Sequence, residues 1–148
     1  MSTLVIGCGH PDRGDDSAGL LLARRLRELG IPAEEHVGDG LSLMERWNGA
    51  ENVIVLDAVR TGAAAGTTRS WDGRLAQVVP EIRRSSSHSL GLAEAIELAR
   101  QLDRLPLRLE IVGIEGEHFE LGTAPCESVL AAVERTALQI AQRLKSDW

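Results

Sequence analysis

The sequence predicts an α/β fold, a three-layer αβα sandwich with a mostly parallel, twisted sheet of about five strands. Three observations carry this expectation. Short apolar runs alternate with helical patterns along the chain. One of them, Val53-Ile54-Val55-Leu56, is apolar at every position, as strands covered on both faces are. The first run, Leu4-Val5-Ile6, passes through a glycine-containing loop into an apolar-periodic segment, Leu20 to Leu29, so a strand feeds a helix through a short turn.

Each element follows from its local pattern. Thr3 to Gly7 reads as a buried strand, and Asp16 to Leu29 as a helix with Leu22, Leu26 and Leu29 near helical spacing. Gly30 stands where a helix terminator belongs. Ile31 to Val37 is a more polar strand, expected nearer an edge, followed by a turn at Gly38-Asp39-Gly40 and a short helix from Leu41 to Trp47. The strand Val53 to Leu56 ends in Asp57. Thr61 to Gly66 is a small-residue loop, Thr67 to Trp71 an outer strand, and Asp72-Gly73 a turn. Ser85 to Ser89 is a polar loop, Leu90 to Leu102 an amphipathic helix, and Leu107 to Ile114 a further strand. A loop from Glu115 to Ala124 precedes a closing helix, Pro125 to Leu144, with Val129, Val133, Ile140 and Leu144 on or near one face.

Composition narrows the function. The 148 residues suit one domain over 1–148, with no internal repeat and no linker to divide it. No apolar stretch is long enough to span a bilayer, and the first strand starts too early to leave room for a signal peptide. A net charge of -6 without a basic cluster argues against nucleic-acid binding. Two cysteines, Cys8 and Cys126, make no disulfide framework, which points to a reducing cytoplasm.

The loop Gly7-Cys8-Gly9-His10-Pro11-Asp12-Arg13-Gly14-Asp15-Asp16 has the position of a nucleotide-binding turn and the wrong chemistry for one. A dinucleotide fingerprint needs a third glycine where Asp12 stands, and a phosphate loop ends in Gly-Lys-Ser/Thr where this one has Asp15-Asp16. Carboxylates at a helix start repel phosphate and suit a cation or a proton. If the first strand and the Val53 strand are neighbours, Asp16 and Asp57 share the crevice beyond the carboxyl ends of the sheet, where ligands of such folds bind. His88, between serines at a helix start, is the third candidate. Taken singly, Asp16 reads as a first-turn carboxylate, Asp57 as a cap or ion-pair partner, and His88 as a solvated loop histidine. Together they form a mixed oxygen and nitrogen set that suits a borderline divalent ion such as nickel or zinc.

Three separated segments, Gly7-x-Gly9 through Asp15-Asp16-x-x-Gly19, Val53 to Ala58, and Ser87-His88-x-Leu90-Gly91-Leu92, resemble the hydrogenase maturation endopeptidases, in the same order and over nearly the whole chain. The resemblance implies an endopeptidase that removes a C-terminal peptide from the large-subunit precursor of a nickel–iron hydrogenase once nickel is inserted. It implies that Asp16, Asp57 and His88 are the metal-binding and catalytic trio. It also implies that the protein has no resident cofactor, the nickel arriving with the substrate, although another divalent ion could fill the empty trio. All three side chains are expected near the surface of the crevice. The chain departs from the family at three points: His10 stands where Asn is common, Asp16 replaces a longer Glu, and Gly38-Asp39-Gly40 only loosely matches an Asp-Gly-Gly stretch. His10 reads as a loop cap or an added ligand, and Asp39 as a turn residue or a further site residue. Asp15 reads as support for the loop.

Two other readings stay open at this stage. Cys8, His88 and Asp57 could form a thiol hydrolase, against a plainer reading of Cys8 as a small buried hydrophobe. A non-catalytic chaperone or sensor of a nickel protein would use the same trio to bind without cutting.

Overall fold

Parallel strands need cover on both faces, and the chain supplies helices for each. The computed structural model describes residues 3–75, 78–85 and 92–147. In chain order the strands are β1 (Leu4–Cys8), β2 (Glu34–His36), β3 (Asn52–Val59), β4 (Thr68–Asp72) and β5 (Arg108–Glu115). The helices are α1 (Ala18–Glu28), α2 (Gly40–Trp47), α3 (Val78–Ser85), α4 (Leu92–Gln101) and α5 (Glu127–Asp147), with a 3-10 turn over Gly14–Ser17 just before α1.

The strands form one sheet in the order β2-β1-β3-β5-β4. Four are parallel, and β4 closes the far edge antiparallel to β5. The α/β class and the five strands agree with the expectation, and β2 lies at an edge as its polarity suggested. Because β1 pairs with β3, strand order reverses between them, and a crevice opens beyond their carboxyl ends.

Alternation along β3 sorts the core into two layers. Ile54, Leu56 and Ala58 pack with Leu22 and Leu26 of α1 and with Val129, Val133, Ile140 and Leu144 of α5. Val53, Val55 and Val59 face the other way, against Leu43, Met44 and Trp47 of α2 and Ala95, Ile96 and Ala99 of α4. Asp57 falls in this second series, at the carboxyl end of the strand.

The start of α1 crosses the sheet at close quarters. A side chain at Gly19 would overlap the carbonyl oxygens of Cys8 and Leu56, and one at Gly7 would overlap the carbonyl of Gly19. Two bare glycines therefore let α1 sit directly over the ends of β1 and β3.

Several boundaries differ from expectation. The β2 strand is three residues long rather than the whole of Ile31 to Val37. The acid pair lies in the 3-10 turn, and α1 proper begins at Ala18 rather than Asp16. Glu115 ends β5 instead of opening a loop. The helix α3 had no counterpart in the reading of the pattern; Pro80 in its first turn hides its periodicity, although a proline is compatible with that position. The predicted Ser85 to Ser89 loop lies, apart from Ser85 itself, outside the described residues, as do Leu90 and Gly91 of the helix expected there.

Candidate active site

The loop after β1 is built as a cage of backbone hydrogen bonds. The Asp16 N–H donates to the Arg13 carbonyl at 3.0 Å, and the His10 N–H donates to the Asp16 carbonyl at 3.3 Å. The Gly14 and Asp15 N–H groups donate to the carbonyls of Thr123 and His118 at 3.0 and 2.8 Å, which ties this loop to the one after β5. The ring Nδ1 of His10 accepts the Asp12 N–H at 3.2 Å. Of the two roles open to His10, the structure gives it the cap.

The two adjacent carboxylates have different surroundings. Asp15 is buried, and its oxygens accept the backbone N–H groups of Glu117 at 2.8 Å, His118 at 2.9 Å and Cys126 at 2.7 Å, with the Cys126 thiol at 3.5 Å. Burial pushes its pKa up, but these donors outweigh it and hold the carboxyl below the usual aspartate range. Asp15 supports the loop, as its position suggested. Asp16 is 1% exposed and Asp57 8%, so both are buried rather than near the surface as expected. Asp57 belongs to the odd-numbered series of β3, and its Oδ1 accepts the Ala58 N–H at 2.9 Å.

Cys8 reports that the two acids share one place. Burial pushes its thiol well above the ordinary value, the Asp57 charge pushes it further, Arg46 opposes, and Asp16 adds to the rise. Asp16, in the turn before α1, and Asp57, in β3, thus both bear on the same buried sulfur. The raised thiol matches the plainer reading of Cys8 as a small buried hydrophobe. His88 lies outside the described residues, and with it the third member of the predicted trio. Among the described residues, no group of three His, Cys, Asp or Glu side chains could hold a metal ion.

Asp39 has a structural task. Its Oδ1 accepts the Ser42 N–H at 2.9 Å and caps α2. The sequence reading missed two neighbours of the crevice. His36, registered beside Cys8, is buried, with Nε2 3.3 Å from the Ser42 hydroxyl. Burial lowers its pKa, a backbone hydrogen bond to Asp39 works against this, and Arg46 lowers it further, so the ring is neutral at pH 7. Glu115, 2% exposed, accepts the Thr61 N–H at 2.9 Å, the Thr61 hydroxyl at 2.6 Å and the Gly62 N–H at 3.3 Å. Nothing around His36 marked it; Glu115 could have been found as a carboxylate ending an apolar run, as Asp57 was.

Size does not locate the chemistry. A groove of about 670 Å³ lies at the opposite edge, lined by the starts of β3 and β5 with Trp71, Arg74 and Arg108, away from both acids.

Comparison with known proteins follows the same lines as the geometry. A family model described as hydrogenase maturation protease matches residues 38–143, a span that contains Asp57 and His88. The protein FrxA of Pyrococcus furiosus is 34% identical over 126 residues, covering 82% of this chain and 90% of the relative. The hydrogenase expression/formation protein HoxM of Azotobacter vinelandii is 27% identical over 144 residues, covering 93% of this chain and 69% of its own. Among solved structures, the hydrogenase maturating endopeptidase HybD from E. coli has the same fold, with a TM-score of 0.81 at 24% identity over 99% of this chain and 94% of that one. The [NiFe] hydrogenase maturation protease HybD from Thermococcus kodakarensis aligns with a TM-score of 0.75 at 25% identity, over 97% and 99% of the two chains.

Proposed function

Since this chain belongs to the hydrogenase maturation protease family and is a peptidase, we propose that it removes a C-terminal peptide from the nickel-loaded large-subunit precursor of a nickel–iron hydrogenase. The substrate's own nickel is recognised through Asp16, Asp57 and His88. The observation that carries this reading is the pair of carboxylates, Asp16 and Asp57, buried around the Cys8 thiol at the reversal of strand order. A divalent cation delivered by the substrate would meet two buried carboxyl groups there, oxygen donors of the kind such ions take. The site is thereby suited to the loaded precursor.

On this reading the protein holds no metal of its own, and the nickel counts as part of the substrate. It fixes the precursor's tail across the crevice and polarises the scissile carbonyl. One trio carboxylate takes a proton from the attacking water, and the proton passes to the departing amine as the peptide bond breaks. His88 supplies a nitrogen ligand that distinguishes nickel from the hard cations that prefer an all-oxygen set. The cytoplasm is the compartment proposed for it, one that the free thiols of Cys8 and Cys126 suit.

The test is mass spectrometry of a nickel-loaded large-subunit precursor incubated with and without the protein. Loss of one C-terminal fragment is the expected result. An unchanged mass under conditions where the two proteins bind would overturn the peptidase assignment for that precursor and favour a chaperone or sensor.

A further inference from the structure

Arg60 is a cation set in place at the same edge of the sheet, with no carboxylate paired to it among the described residues. It follows β3 directly, three residues beyond Asp57, and is exposed. Its backbone is fixed on both sides. The Gly116 N–H donates to the Val59 carbonyl at 3.0 Å, and the Thr61 and Gly62 N–H groups are held by Glu115. Its guanidinium lies over the Phe119 ring, 4.3 Å from the centroid. Phe119 is buried in the core and packs over Gly116, where a side chain would meet both the Phe119 ring and the Asp15 Cβ. Arg60 is therefore joined through one aromatic ring to the loop that carries Asp16.

Stacking on a ring leaves the edge of a guanidinium open, with paired N–H donors pointing outward in a geometry that fits a carboxylate. The nearest buried acid cannot take this role, because Glu115 already receives three donors from Thr61 and Gly62. Among the described residues no carboxylate pairs with Arg60, whereas Arg24, Arg25, Arg27, Arg46, Arg69 and Arg143 each have one. An anionic segment entering beside Asp16 and Asp57 meets an exposed cation at Arg60, held against the Phe119 ring.

We infer that Arg60 is a specificity-determining residue that receives a carboxylate of the precursor's C-terminal segment and sets its register across the crevice. The inference rests on the proposed function. Arg60 lies three residues beyond Asp57, about 10 Å of extended chain, so the carboxylate lies within about three residues of the point where the metal is held. It belongs to an acidic side chain of that segment or to its chain terminus.

The experiment measures initial cleavage rates of the nickel-loaded precursor by the full chain and by its Arg60→Ala and Arg60→Lys variants, at two salt concentrations. For Arg60→Ala, KM rises roughly fivefold with kcat unchanged, and the salt dependence of KM weakens. Arg60→Lys, which keeps the charge and loses the fork, recovers part of the KM. Precursors with each acidic residue of the tail changed to its amide, and one with its terminus lengthened, distinguish the two sources. The correct change raises KM for the unmodified protein by the same factor and leaves Arg60→Ala unaffected. Binding of a fluorescent peptide of the tail, followed by anisotropy, requires no cleavage and separates the two ideas. Tail binding that depends on Arg60 without cleavage counts against the peptidase assignment alone. Cleavage or binding that is indifferent to Arg60→Ala, or a loss that adds equally on every precursor, overturns the role of Arg60.

Discussion

The Oδ1 of Asp15 accepts the backbone N–H of Cys126 at 2.7 Å, joining the turn before α1 to the residue just before α5. The same carboxylate holds Glu117 and His118, so one side chain fixes the mutual position of two loops that are far apart in sequence. Replacing it leaves buried donors without a strong acceptor. Asp15→Ala is expected to lower stability by about 3 kcal/mol, read from urea unfolding at neutral pH.

The same residue carries a pH signature. Its folded pKa is depressed, so between the folded value and the unfolded value of about 3.9 the unfolded chain binds more protons than the folded one. The stability that Asp15 supplies is present above the unfolded pKa and is lost as pH falls through the folded one. The difference in urea midpoint between the unmodified protein and Asp15→Asn should shrink on acidification below about pH 4. A difference that stays constant down to full acidification would show that the Asp15 charge is not what holds the loops.

Asp16→Asn and Asp57→Asn should each reduce cleavage of the loaded precursor by about 100-fold or more while the far-ultraviolet circular dichroism is unchanged. His88→Ala should lose cleavage to the same extent. Wild-type rates in any of the three variants would remove that residue from the trio.

Cys8 is expected to be inert. With its thiol pushed up by burial and by the two acids, it should resist iodoacetamide in the native protein while the half-exposed Cys126 is labelled first, as peptide mass mapping would reveal. Cys8→Ala should cleave at close to the unmodified rate. Complete loss of cleavage in a folded Cys8→Ala protein would revive the thiol mechanism.

Gly19→Ala places a methyl group against the carbonyl oxygens of Cys8 and Leu56, which are backbone atoms of two paired strands and have little room to move. The expected loss is about 3 kcal/mol, measured as a lowered urea midpoint with an unchanged slope. Gly49→Ala is a useful contrast, because its positive φ alone is strained while the space around it is open.

The parts of the fold that were legible came from patterns that repeat locally. The wholly apolar Val53 to Leu56 run located the central strand, whereas the pairing of β1 with β3, a condition in the sequence reading, is supplied by the structure. What the sequence concealed depends on distance or on short length. The task of Asp15 cannot be read from its neighbours, since its partners are Glu117, His118 and Cys126. The burial of Asp16, 1% exposed, is likewise not announced by its sequence neighbours. His36 sits beside two exposed or half-exposed glutamates in a three-residue strand, which gives no periodicity to read. Asp39 was ambiguous because a helix cap and a site carboxylate look alike until the Ser42 N–H is in place. For the site, the two acids were legible as carboxylates at strand or helix ends; their common effect on Cys8 was not.

The hold of Asp15 on Cys126 also sets when the crevice comes into being. During synthesis, β1 and the Asp16 turn leave the ribosome early, whereas Glu117, His118 and Cys126 follow about a hundred residues later, ahead of α5. A nascent chain can therefore carry both acids without having a place to put them. The turn that carries Asp15 and Asp16 takes its final anchorage only after the loop behind β5 has been made.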